Sequence, residues 1–306
     1  MYIQEKDGST IVNEVQDFLL SQTLECGQCF HFDRIDEEEY IVVAYGKMLH
    51  IKQHENKLIF FDTSRQTYEN VWRRYFDLDR DYGSIKAFLI KADEKLIPAV
   101  KEKYGVRILN QEFSETLMSF IISQTKQIPQ IKQVVNNISE RFGKCVGEYH
   151  GKKYYSFPDI DSLKLITKEE FLECKAGFRA EYLVEAAKFL ENKMNEDFFN
   201  EYTYEEAKAV LTSIKGVGEK VANCVLLFSL GYRNAFPVDV WIKRTMEEMY
   251  FHKETNKTVI QKFGEEKYKE YGGYAQQYLF FYGKTSLDRQ IKNDKSKLSK
   301  YKKNIN

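Results

Sequence analysis

Between Cys29 and Asp62 the apolar positions come in short β-branched and aromatic runs, Tyr40 to Tyr45, Met48 to Lys52 and Leu58 to Phe61. Gly46-Lys47 and His54-Glu55-Asn56 separate them. Runs of that length with turn formers between them predict an antiparallel meander. Beyond Thr63 the period lengthens. Tyr68 to Phe76, Ser84 to Ala92, Ser114 to Ser123, Ile131 to Phe142, Glu181 to Asn192 and Tyr204 to Ser213 all allow an apolar stripe at helical spacing. It is clearest in Ile131, Val134, Val135, Ile138 and Phe142. Such stripes are core faces. Two more helical runs, Glu219 to Leu230 and Val240 to Tyr250, complete the pattern. A small antiparallel sheet domain followed by a mainly helical one is an α+β arrangement. The sheet with flanking helices is expected over 1–112, the helical domain over 113–290 and a basic tail over 291–306.

Where the last of these runs meet, Gly216-Val217-Gly218 sits between the helix ending at Ser213 and the one starting at Glu219. Two glycines one residue apart fit a tight turn in which backbone amides approach a ligand closely, and free amides at a helix start attract anions, phosphate above all. Lys220 falls in the first turn of the second helix. There the positive end of the helix dipole favours a neutral, nucleophilic amine. Asp239, after Pro237, heads the next helical run and reads as its N-cap carboxylate. Each feature alone also fits an ordinary helix turn, a solvated lysine and a plain cap.

Composition narrows the partners. The 306 residues suffice for about two domains and a sizeable core. Formal charge is zero, so phosphate affinity has to come from local patches and helix ends and not from a global field. Lys284, Arg289, Lys292, Lys295, Lys297, Lys300, Lys302 and Lys303 make the C-terminal stretch basic, which reads as a solvated, frayed end. No apolar run reaches the length of a membrane span and no leader opens the chain, so a cytoplasmic protein is expected. The five cysteines, Cys26, Cys29, Cys145, Cys174 and Cys224, have no framework spacing, so disulfides are not expected. Cys26-Gly27-Gln28-Cys29 lacks a second ligand pair, and the histidines lack ligand spacing. No metal or other cofactor is expected. Gly283-Lys284-Thr285 fails as a P-loop because Tyr278 stands where its first glycine belongs.

The Gly216-Val217-Gly218 hairpin with Pro237-Val238-Asp239 resembles the helix-hairpin-helix glycosylase superfamily, and Lys220 matches the lysine of its bifunctional members. Gly27-Gln28-Cys29-Phe30, Trp72-Arg73-Arg74-Tyr75-Phe76, Gly177-Phe178-Arg179 and Ala275-Gln276 with Leu279-Phe280, in that order, look like the 8-oxoguanine DNA glycosylase family. The similarity runs from about Leu20 to Phe281. It implies a monomeric base-excision repair enzyme that binds duplex DNA, flips out the oxidised guanine, excises it and cleaves the abasic site through a lysine Schiff base.

By the same resemblance, Asp239 would stabilise the sugar cation and Lys220 would attack it. Cys224 and Phe280 would flank the flipped purine, Gln276 would bind its Watson–Crick edge, and the Gly27 carbonyl would accept the N7 proton that guanine lacks. Lys220 and Cys224 are four apart, as are Gln276 and Phe280, so each pair shares a helix face. Gly216 and Gly218 would meet phosphate, and Phe178 would wedge into the gap. Animal and fungal members read the orphaned cytosine with two arginines. Here Thr125 stands at the first of their consecutive asparagines, Gln130 at one arginine, and only Arg179 is kept. Two other readings stay open from the residues alone. One is a glycosylase of the same superfamily acting on another damaged base, and the other is a non-catalytic helix-hairpin-helix DNA-binding protein.

Overall fold

A computed structural model describes residues 1–192, 196–287 and 289 of the chain. The expected basic tail over 291–306 lies outside the described residues. Six strands, β1 (Tyr2–Lys6), β2 (Ser9–Asn13), β3 (Phe32–Arg34), β4 (Glu39–Ala44), β5 (Lys47–His54) and β6 (Lys57–Phe61), pair antiparallel in the order β1-β2-β6-β5-β4-β3. The meander expected from the sequence is β4 to β6, with Tyr40 opposite Ile51 and Val42 opposite Leu49. Alternation sorts the faces: Leu49 and Ile51 are buried, whereas Met48, His50 and Lys52 are only partly so. The buried face packs Leu58 and Phe60 against Tyr68 and Trp72 of the helical segment 65–75 and Phe76 at its C-cap.

A second hairpin, β7 (Cys145–Tyr149) with β8 (Lys152–Tyr155), covers the other face at β4, where Tyr154 lies on Ile41 and Val43. Burial from both sides explains why β4 reads as a continuous apolar run rather than an alternating one. β1 and β2 were not expected. They are joined at Asp7-Gly8, both at positive φ (50° and 75°), the backbone that an Asp-Gly hairpin turn requires.

The helices agree with their stripes to within a few residues at each end. Tyr204–Thr212 starts where Thr203 and Glu206 cap each other reciprocally, the Thr203 amide donating to Glu206 Oε2 at 2.8 Å. The run expected over Val240 to Tyr250 is helical only over Val240–Met246 and then widens into a π turn, Glu247–Phe251. Two helices follow, Lys257–Tyr268 and Gly272–Tyr282. The helix Tyr82–Ala92 and the segment around Ile108 join the helical core with Leu117, Val225 and Leu279 rather than the sheet core.

Gly272–Tyr282 is the centre of that core, buried on nearly every side. A Cβ on Gly273 would overlap Leu227 of the helix Glu219–Phe228, and one on Gly283 would overlap Thr245 of the helix Val240–Met246. These glycines let three helices approach closely, which sets the geometry of the site. No helix among the described residues is long and apolar enough to cross a membrane.

Candidate active site

Gly218 is the N-cap of the helix Glu219–Phe228, so Lys220 occupies its first turn. The half-buried Lys220 amine meets Ser123 Oγ at 3.3 Å and stands 4.8 Å from the centroid of the Phe120 ring. Ser123 itself donates to the Phe120 carbonyl at 2.7 Å, so its hydroxyl offers the amine a lone pair and no charge. Lys220 has no carboxylate in salt-bridge contact among the described residues. One turn on, Cys224 is 3% exposed, and burial pushes its thiol up to about 11. The neighbouring Lys220 pulls the other way and Asp239 adds to the rise. The thiol is therefore neutral at pH 7. Asp239 caps the helix Val240–Met246, accepting from the Ile242 amide at 2.8 Å, and the same carboxylate acts electrostatically on Cys224. Lys220, Cys224 and Asp239 thus form one cluster.

Gln276, from the central helix, is 4% exposed and donates Nε2 to the Pro237 carbonyl at 3.1 Å, while its Oε1 is buried without a partner. A buried amide oxygen with nothing to accept is costly, on the order of 1–3 kcal/mol, unless a ligand satisfies it. Phe280, one turn further, is half-buried. Gly27 has φ +85°, and a Cβ there would lie 3.3 Å from Ile128 Cδ1 and 3.4 Å from the Phe280 ring. Its two neighbours are fixed. Gln28, with 0% exposure, donates Nε2 to the Thr23 and Arg107 carbonyls, both at 2.8 Å, and accepts from the Leu109 amide at 2.9 Å. Cys26 accepts from Gln277 Nε2 at 3.1 Å. The backbone at Gly27 is therefore held from both sides, against the wall that carries Phe280.

The expected DNA-contact residues gather at a junction beside the hairpin. Thr125 is exposed and has φ +54°, an uncommon conformation for a β-branched residue. Arg179 is only 4% exposed. Its guanidinium donates to the Gln124 carbonyl at 2.8 Å, to the Ala176 carbonyl at 3.1 Å and to Thr125 Oγ1 at 2.7 Å. The arginine expected to face an orphaned base is turned inward and holds the junction together. Phe178, by contrast, is 60% exposed and lies over that guanidinium, 4.2 Å from ring centroid to Cζ. Gln130 is exposed, and its Oε1 accepts from the Gln127 amide at 3.0 Å as part of a helix cap, which leaves its NH2 free. Gly216, at φ +89°, is needed for packing as well as for the turn, because a Cβ would overlap the ring of Tyr182. Gly218 has nothing within 4 Å of a built Cβ, so the helix start beside it is open.

Sequence reasoning missed the residues that connect these parts. Gln124 Nε2 donates to the Gly216 carbonyl at 3.0 Å, tying the junction to the hairpin, and Ser123 ties it to Lys220. Lys284, read from composition as the start of a solvated end, is half-buried and stands 5.9 Å over the Phe280 ring. A cavity of about 280 Å³ lined by Tyr45, Glu112, Phe142 and Asp159 shares no residue with this cluster.

Comparison with known proteins bears on this arrangement. Residues 10–117 match the family model of the 8-oxoguanine DNA glycosylase N-terminal domain, and residues 118–270 match that of the HhH-GPD superfamily base excision DNA repair protein. The solved structure of MBOgg1 with a low-affinity DNA ligand superposes with a TM-score of 0.89 at 42% identity, over 92% of this chain and 98% of that one. The 8-oxoguanine glycosylase/lyase of Clostridium acetobutylicum, solved with duplex DNA containing cytosine opposite 8-oxoguanine, gives 0.89 at 40% identity, over 93% and 98%. An N-glycosylase/DNA lyase of Saccharomyces cerevisiae is 32% identical over 252 residues, 75% of this chain; the match spans 62% of the yeast protein. Two consecutive family models spanning sheet and helices, on a chain of matching fold, leave one assignment: the chain belongs to the 8-oxoguanine DNA glycosylase family of the HhH-GPD superfamily.

Proposed function

We propose that this chain is a bifunctional DNA glycosylase and abasic-site lyase that removes 8-oxoguanine from duplex DNA. The observation that carries the reading is Lys220: an amine in the first turn of the hairpin's second helix, facing a hydroxyl, beside a neutral thiol and a carboxylate. A structural lysine would be paired or solvated. The flipped purine enters between Cys224 and Phe280. Gln276 Oε1 accepts a hydrogen bond from its Watson–Crick edge, and the Gly27 carbonyl accepts one from N7–H. As the C1′–N9 bond breaks, the electron pair leaves with the base and Asp239 stabilises the sugar cation. Lys220 adds at C1′, the sugar ring opens to a Schiff base, and loss of a C2′ proton expels the 3′ phosphate. Exposed Phe178 fills the gap in the duplex, and the open helix start at Gly218 meets backbone phosphate. Residues 1–112 supply the Gly27 carbonyl, and 113–290 supply the rest of the base slot and the chemistry. We place the enzyme in the cytoplasm, a reading supported by its five free thiols, and take it to act as a monomer.

The test is borohydride trapping on an 8-oxoguanine duplex with wild type beside Lys220→Gln. Wild type gives a covalent adduct. Lys220→Gln gives none yet keeps duplex affinity, since backbone amides and not this amine hold the phosphates. Absence of an adduct with wild type sinks the lyase assignment.

A further inference from the structure

Lys284 has no place in the chemistry above. It lies in the wide helical turn Gly283–Leu287, which continues the helix of Gln276 and Phe280. Successive residues four apart share a face, so Gln276, Phe280 and Lys284 form a line. Gln276 is buried, Phe280 and Lys284 are both half-buried, and the Lys284 amine stands over the Phe280 ring. The backbone positions of Gln276 and Lys284 are about 12 Å apart along the helix, and the lysine side chain reaches back to the Phe280 ring. The line therefore has a floor at the amide, a wall at the ring and a rim at the amine.

The amine makes no hydrogen bond or ion pair with any described residue. It is a partly desolvated cation with no anion in contact among the described residues. Burial lowers its pKa from the ordinary lysine value, while Cys26 and Asp239 act in the opposite direction, which places it within electrostatic reach of both sides of the site. A nucleotide entering base first would bring its purine to Gln276 and leave its own phosphodiester at the rim. We propose that Lys284 is a phosphate-binding residue of the flipped nucleotide, gripping the phosphodiester that flanks it at the mouth of the base slot. The assignment rests on the base-flipping reading of the site, which wild-type borohydride trapping checks separately.

The experiment measures the affinity of wild type, Lys284→Met and Lys284→Arg for three duplexes: one with a tetrahydrofuran abasic analogue, one with 8-oxoguanine and one undamaged. Affinities are taken across a salt series, with thermal melting to confirm folding. Lys284→Met should lose about tenfold on both lesion duplexes, with the slope of log affinity against log salt smaller by about one. Lys284→Arg should retain most of the affinity. Undamaged duplex, which presents no extruded phosphate, should bind all three proteins alike. Loss on all three duplexes would make Lys284 a general backbone contact and overturn the assignment. So would unchanged affinity on the abasic duplex, with or without slowed excision of 8-oxoguanine, because a base contact could account for that.

Discussion

Replacing Gln130 by arginine should convert this enzyme from a weak to a strong discriminator of the base opposite the lesion. In the free protein the donors of Arg179 go to the Gln124 and Ala176 carbonyls and the Thr125 hydroxyl. Swinging the guanidinium out would forfeit these charge-assisted bonds, each worth about 1.5–3 kcal/mol, against which relief of the strained Thr125 backbone returns about 1–3 kcal/mol once. Readout then falls to the exposed Gln130, whose oxygen is committed to the Gln127 amide, leaving its NH2 to donate. A neutral donor finds an acceptor on the Watson–Crick edge of every base. At about 1 kcal/mol for one such contact, the preference for cytosine stays within about tenfold. An arginine at 130 would offer two charged donors to the adjacent O2 and N3 of cytosine, worth about 1.5–3 kcal/mol, or roughly ten- to 150-fold. The lost cap should cost about 0.5–1 kcal/mol of stability. The assay is single-turnover excision of 8-oxoguanine opposite each of the four bases, at saturating enzyme. A wild-type preference for cytosine above about a hundredfold would mean that Arg179 does swing out and suffices. Equal profiles for wild type and Gln130→Arg would refute the reasoning from the other side.

The parts of the molecule legible in the sequence are those whose information is local. Turn formers between alternating runs give β4 to β6, and apolar stripes give the helices. Spacings of four place Lys220 with Cys224 and Gln276 with Phe280. β1 and β2 could have been found from Asp7-Gly8, whose turn chemistry is specific, but the flanking strand Tyr2–Lys6 is exposed and has no apolar alternation to confirm it. β7 and β8 show no regular alternation because Tyr154 is their one fully buried contact with β4, with Val146 and Tyr149 only partly buried beside it. The junction was illegible for a different reason. Arg179 reaches a carbonyl 55 residues away, and Gln124 one that is 92 away. Bonds from a side chain to a distant backbone leave no periodicity and no preferred residue type at the accepting end. Lys284 was misread because a charge count weighs it with its neighbours in sequence, whereas the wide turn folds it back over Phe280.

Gln276→Ala should raise the half-saturation for an 8-oxoguanine duplex with little change toward a preformed abasic site, which has no base to hold; equal losses on both would make the amide structural. Gly216→Ala forces a side chain into φ +89° and against Tyr182, so its melting temperature should fall, with a loss of about 1–3 kcal/mol. Gly218→Ala, which has room for the methyl but is a poorer N-cap, should lower melting only slightly yet weaken binding to any duplex, and normal binding by this variant would remove the helix start as a phosphate site. The last expectation concerns alkaline stability and follows from Cys26 and Cys224, at 0% and 3% exposure, whose thiols burial raises from an ordinary 9.0 to about 11. A raised pKa means that the folded state keeps its proton where the unfolded chain has released it. The contribution is therefore whole below pH 9 and is lost as pH climbs toward 11. Two units correspond to about 2–3 kcal/mol per thiol at the far end of that window. Urea midpoints at pH 8 and pH 10.5 isolate the effect, because a cavity left by Cys26→Ala or Cys224→Ala lowers both midpoints alike, whereas the missing thiol reduces only the drop between them. If either variant loses as much stability between the two pH values as wild type does, that thiol is not kept protonated by the fold.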